Sequence, residues 1–77
     1  MQEKIKNIIT EYVSINPDEL TPEVEFRGDL GLTSLAMMNM LVEVEDEFGV
    51  EIDEADALEF EKLQDLYDYL SGQGINE

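Results

Sequence analysis

Ile5, Ile8, Ile9, Tyr12 and Val13 recur at i, i+3, i+4, i+7 and i+8, while Lys4, Lys6, Asn7, Thr10 and Glu11 fall between them. One apolar face with polar residues around it predicts a first helix, ending near Ser14 and ahead of Asn16-Pro17. The period then fails. From Ile15 to Thr33 the chain is interrupted by Pro17, Pro22, Gly28 and Gly31, yet Leu20, Val24, Phe26, Leu30 and Leu32 return at intervals. So long a connection is uncommon in a small domain, and it reads as a loop pinned to the core, with a short helical turn at Pro17-Asp18-Glu19-Leu20.

Periodicity resumes at Ser34 and predicts a second helix to Phe48, stopped by Gly49, a favoured residue just past a helix end. Val50-Glu51-Ile52-Asp53 is too short and isolated for a sheet. Glu54 to Phe60 predicts a short third helix with Asp53 as its cap. Leu63, Leu66, Tyr67 and Leu70 mark a last helix ending before Gly72, followed by a polar tail. The expected fold is all-α: a single domain over residues 1–77, built as a small four-helix bundle of three longer helices and one short one, with a long loop between helices one and two.

The second helix has two apolar sides. At about 100° per residue, Met37, Met40, Leu41, Val44 and Phe48 share one sector, the expected core face. Leu35, Met38 and Val42 fall nearly opposite, bordered by Glu45 and Asp46, where a surface helix ordinarily carries polar groups. Either the long loop folds back over these three, or they form an exposed stripe suited to docking another protein. Methionine fits the second use, because its flexible side chain adapts to several surfaces.

Charge narrows the partners. The chain carries 20 acidic and 4 basic residues, a formal net charge of −16 and no histidine. Nucleic acid and anionic membranes would be repelled, whereas basic protein surfaces would be attracted and their encounter accelerated. Self-repulsion should make stability rise with salt or divalent cations. The amino terminus has no apolar signal core and no stretch is long enough to span a bilayer, so a cytoplasmic monomer is expected, without membrane insertion. Histidine and cysteine are both absent, which leaves no usual general base for a serine nucleophile and no nitrogen or sulfur ligand for a metal. Placing Gly28 or Gly49 sixth in a loop does not produce a calcium-binding hand either, and no metal site is expected.

Thr33 and Ser34 stand where the loop meets the second helix. Either could be a plain helix cap, although neither has Glu or Gln three residues on. Unpaired N–H groups at the same place would also favour a phosphate ester on Ser34. Composition and spacing leave both roles open.

Phe26-Arg27-Gly28-Asp29-Leu30-Gly31-Leu32-Thr33-Ser34-Leu35, followed by Glu45-Asp46-Glu47-Phe48-Gly49-Val50-Glu51-Ile52, resembles the acyl carrier proteins over nearly the whole chain. The resemblance implies that Ser34 receives a 4'-phosphopantetheine arm from coenzyme A through a phosphopantetheinyl transferase. Acyl groups would then ride on the arm's thiol as thioesters, with the cofactor supplying the chemistry this non-catalytic chain lacks. It further implies an acyl pocket at Met37, Leu41, Val44, Ile52, Ala57, Phe60 and Leu66. Asp29, Leu35, Met38, Val42, Glu45, Asp46 and Ile52 would face acyl-transferring or synthase enzymes bearing basic patches. Two departures stand out: Thr33 replaces the family's usual aspartate before the serine, and Ala36 and Asn39 occupy places that are acidic in fatty-acid carriers. A specialised carrier is the resulting expectation. A small acidic adaptor using the Leu35, Met38 and Val42 stripe is the alternative, and a carboxylate-rich divalent-ion buffer a third.

Overall fold

The computed structural model describes residues 1–75, and the last two positions of the expected polar tail lie outside them. Helix α1 spans Gln2–Ile9 and buries Ile5, Ile8 and Ile9. It stops short of Ser14, correcting the sequence expectation. Thr10 Oγ1 donates to the Asn7 carbonyl at 2.9 Å, a local bond that competes with helical continuation. The chain then tightens into three-residue turns, with Glu11 N–H on Ile8 O at 3.1 Å and Tyr12 N–H on Ile9 O at 2.9 Å. Tyr12 and Val13 still pack against the core, which is why their spacing looked helical. A 3₁₀ turn follows at Pro17–Glu19, with the Asn16 side chain accepting from Asp18 N–H at 2.9 Å.

Helix α2, Ser34–Phe48, has the expected boundaries. Thr33 caps its start, and Gly49 ends it in the left-handed region at φ 66°, where a side chain would be strained. Helix α3 is only Glu54–Ala57. The turn expected to continue to Phe60 instead closes through i to i−3 bonds, Glu59 N–H on Asp56 O and Phe60 N–H on Ala57 O. Asp53 occupies the cap position, but its side chain accepts no capping bond. Helix α4 runs over Leu63–Gly72. The Asp65 carboxylate reaches back to accept from the backbone N–H groups of Glu61 and Lys62 at 2.9 and 3.0 Å. Those bonds satisfy otherwise orphaned donors ahead of the helix and hold the Asp65 carboxyl below its ordinary range.

The long loop is indeed pinned. Leu20, Phe26, Leu30 and Leu32 are buried with the α1, α2 and α4 faces in one hydrophobic core, and Val24 packs against it. What the sequence did not indicate is a backbone seam joining the loop to the start of α4. Phe26 N–H donates to Glu61 O and Leu63 N–H donates to Val24 O, both at 2.9 Å, around an antiparallel bridge between Glu25 and Lys62. A Lys4–Glu47 ion pair at 3.6 Å ties α1 to α2, and Tyr12, in the turns beyond α1, donates through Oη to Glu43 Oε1 of α2 at 2.6 Å. Met37, Met40, Leu41 and Val44 of α2 are buried, whereas Phe48 is half-buried and packs at the core margin. The loop does not cover the second apolar side: Leu35, Met38 and Val42 are 69%, 57% and 53% exposed. No helix among the described residues is long and apolar enough to cross a membrane.

Candidate functional site at the start of helix α2

Leu30 and Leu32 are buried and fix the end of the loop. Between them Gly31 turns the chain at φ 68°, a conformation that favours glycine. The loop also closes on itself: Asp29 Oδ2 accepts from Glu25 N–H at 2.8 Å, Gly31 N–H bonds Arg27 O at 3.1 Å, and Leu32 N–H bonds Phe26 O at 3.0 Å. Asp29, expected at the partner-facing surface, is thus engaged in holding the loop that presents the helix start.

The structure divides the roles that the two hydroxyl residues left open. Thr33, extended at φ −76° and ψ 167°, is the cap, and its Oγ1 accepts from Ala36 N–H at 3.1 Å. Ser34 takes the first helical position with its side chain exposed and uncommitted to capping. Its Oγ instead accepts from Arg27 Nη2 at 3.1 Å. A guanidinium cannot take a proton from the hydroxyl. Among the described residues the Ser34 hydroxyl is therefore bonded to a cation and not to a general base. The Arg27 contact was not anticipated, although an arginine in so acidic a chain, within reach of the serine, was a signal that could have raised it.

Farther along α2 the exposed stripe borders an apolar cleft of about 140 Å³ between α2 and α3, lined by Met38, Leu41, Val42, Glu45, Ile52, Glu54 and Ala57. The residues expected to form an inner pocket and an outer docking face meet in this one feature. Leu41 and Ala57 from the first group share it with Met38, Val42, Glu45 and Ile52 from the second. Met37, Val44 and Leu66 lie in the closed core. Phe60 is half-buried, its ring edge-on to Tyr69 with centroids 5.5 Å apart. Leu35 and Asp46 are exposed on the same helix but do not line the cleft. Glu45 holds the far wall, accepting from Ile52 N–H through Oε2 at 2.7 Å.

Residues 3–70 match the phosphopantetheine attachment site family. An acyl carrier protein of Nitratidesulfovibrio vulgaris is 40% identical over 73 residues, covering 95% of this chain and 96% of the relative. One from Syntrophus aciditrophicus is 39% identical over 75 residues, covering 97% and 94%. Among solved structures, the acyl carrier protein of Enterococcus faecalis superposes with a TM-score of 0.81 at 32% identity, over 92% of this chain and 90% of that one. Sequence, fold and an exposed serine at the head of the longest helix agree, and the chain is a member of the acyl carrier protein family, a non-catalytic carrier of acyl groups on phosphopantetheine.

Proposed function

We propose that Ser34 is the residue that carries the arm. The observation behind this reading is the division of labour at the helix start: Thr33 supplies the cap, so the Ser34 hydroxyl stays exposed and free to be esterified. The surroundings fit the group. A hydroxyl is the atom to be joined to phosphorus, an arginine stands beside it, and the apolar cleft opens along the same helix one turn further on. In the loading step a partner enzyme removes the Oγ proton, the oxygen bonds the phosphorus of the pantetheine half of coenzyme A, and the nucleotide half leaves. The arm's thiol supplies the thioester chemistry when the cofactor is attached.

Leu35, Met38 and Val42, bordered by Glu45 and Asp46, form the docking face in this reading. Acyl-transferring enzymes would meet it with apolar contacts framed by basic residues, and the carrier would work as a cytoplasmic monomer. Leu41, Ala57 and Ile52 line the way into the cargo pocket, backed by Met37, Val44, Phe60 and Leu66. The first turn of α2 has no acidic residue, with Ala36 and Asn39 nearby and Thr33 before the serine. A face with so little charge at its leading end suits a narrower set of enzymes than a general fatty-acid carrier serves.

Intact-mass spectrometry after incubation with coenzyme A and a phosphopantetheinyl transferase tests the reading. One added arm on the wild type and none on Ser34→Ala is the expected result. No addition with several transferases would overturn it and leave an adaptor. Equal turnover with a housekeeping carrier in a fatty-acid synthase competition assay would remove the specialised role.

A further inference from the structure

Arg27 is a cation that makes no ion pair among the described residues, in a chain with 20 carboxylate side chains. Neither of its two nearest acidic neighbours in sequence pairs with it among the described residues. Asp29 Oδ2 is taken by Glu25 N–H at 2.8 Å, and the Glu25 carboxylate is folded against Gly28, where a Cβ would collide with Oε1. The guanidinium instead reaches seven residues along the chain to the Ser34 hydroxyl, Nη2 to Oγ at 3.1 Å. A neutral hydroxyl is a weaker partner for a guanidinium than any carboxylate, so the apo contact leaves most of the donor capacity of Arg27 unused.

Resting on Ser34 as the attachment residue, we propose that Arg27 is a positioning residue that holds the phosphodiester of the attached arm. Esterification converts Oγ from a hydroxyl into a bridging ester oxygen, a poor acceptor, and places two oxygens sharing one negative charge one bond farther out. Arg27 is already at hydrogen-bond distance from Oγ, so a small rotation brings its planar fork onto those oxygens and exchanges a neutral contact for a charge-assisted one. The negative charge added at loading is then neutralised locally rather than joining a net charge of −16. The root of the arm is held in place while its far end remains free. Lysine at this position would retain the charge but lose the fork.

The test uses wild type, Arg27→Gln and Arg27→Lys, each loaded with phosphopantetheine and checked by intact mass. Phosphorus NMR of the loaded proteins and the change in Tm on loading are then compared. The expected result is that Arg27→Gln moves the phosphorus resonance and removes at least half of the Tm change. Its apo form should melt close to wild type, and Arg27→Lys should fall between. Independently, the Arg27 side-chain N–H resonance of the wild type should shift on loading. An unmoved Arg27 resonance overturns the proposal, as does a loaded Arg27→Gln that matches wild type in both phosphorus shift and Tm change. A wild type that accepts no arm overturns the assignment of Ser34 itself, and this proposal with it.

Discussion

The carboxylate of Glu45 accepts the backbone N–H of Ile52 at 2.7 Å, so a residue on the rim of the exposed stripe also fixes the segment entering α3. Replacing it by alanine leaves a half-buried amide without its partner, at an expected loss of about 1–2 kcal/mol. Glu45→Gln keeps an acceptor oxygen and should recover most of that loss. Denaturant unfolding of the two variants, with hydrogen exchange at the Ile52 amide, checks the order. Equal exchange in wild type and Glu45→Ala would mean the bond is not formed in solution.

Burial ranks three further substitutions. Phe26 is 0% exposed, and Phe26→Ala should cost about 3–5 kcal/mol, enough to unfold much of so small a domain. Phe48 sits at the core margin, so Phe48→Ala should cost less than the full-core penalty its helical position suggested. Met38→Ala should stay within about 0.5 kcal/mol of wild type while slowing transfer to partner enzymes. Thermal melts place the three in that order, and a large Tm loss for Met38→Ala contradicts the exposed stripe.

Tyr67 is a buried residue whose hydroxyl oxygen has no hydrogen-bond partner among the described residues, and burial pushes its phenol up from 10.0. An unsatisfied buried hydroxyl costs free energy that phenylalanine of the same shape does not incur. Tyr67→Phe is therefore expected to raise stability by about 1 kcal/mol. A drop in Tm would show that the hydroxyl is bonded after all.

Tyr12 donates to Glu43 Oε1 at 2.6 Å. That bond to a carboxylate is the main reason its phenol is pushed up from 10.0 to about 12. The neutral phenol is the form the fold favours, so this link is intact below pH 10.0 and is lost as pH rises through about 12. Absorbance titration of wild type against Glu43→Gln checks it. One tyrosine should return toward its ordinary value in the variant, and superimposable curves would rule the link out.

The legible parts of the fold were those set by local chemistry. Helix α2 was bounded correctly because Gly49 provides a left-handed stop and a hydroxyl residue opens the helix. The end of α1 was misplaced because Tyr12 and Val13 keep packing against the core through turns of mixed i−3 and i−4 bonding beyond the helix, and apolar spacing cannot separate such turns from a continuing helix. The seam between Val24-Glu25-Phe26 and Glu61-Lys62-Leu63 was invisible for a different reason. Backbone pairing between distant segments leaves no signature in residue type when each segment is so short. At the site, the helical sectors of α2 correctly separated Met37 from Met38. They could not show where α3 crosses, and hence that Met38, Leu41 and Ala57 line one cleft. The partner of Ser34 was hidden likewise, since the reach of Arg27 depends on how the loop around Asp29 closes.

The Glu45–Ile52 bond and the Phe26–Glu61 bond clamp the chain on either side of α3. Between those clamps only a four-residue helix, Glu54–Ala57, and its turn span the gap, with Leu58 at 75% exposure on the outside. Such a strap has fixed ends and a shallow middle. Substitutions within Glu54–Ala57 should therefore disturb this one small wall of the cleft while α1, α2 and α4 keep their packing.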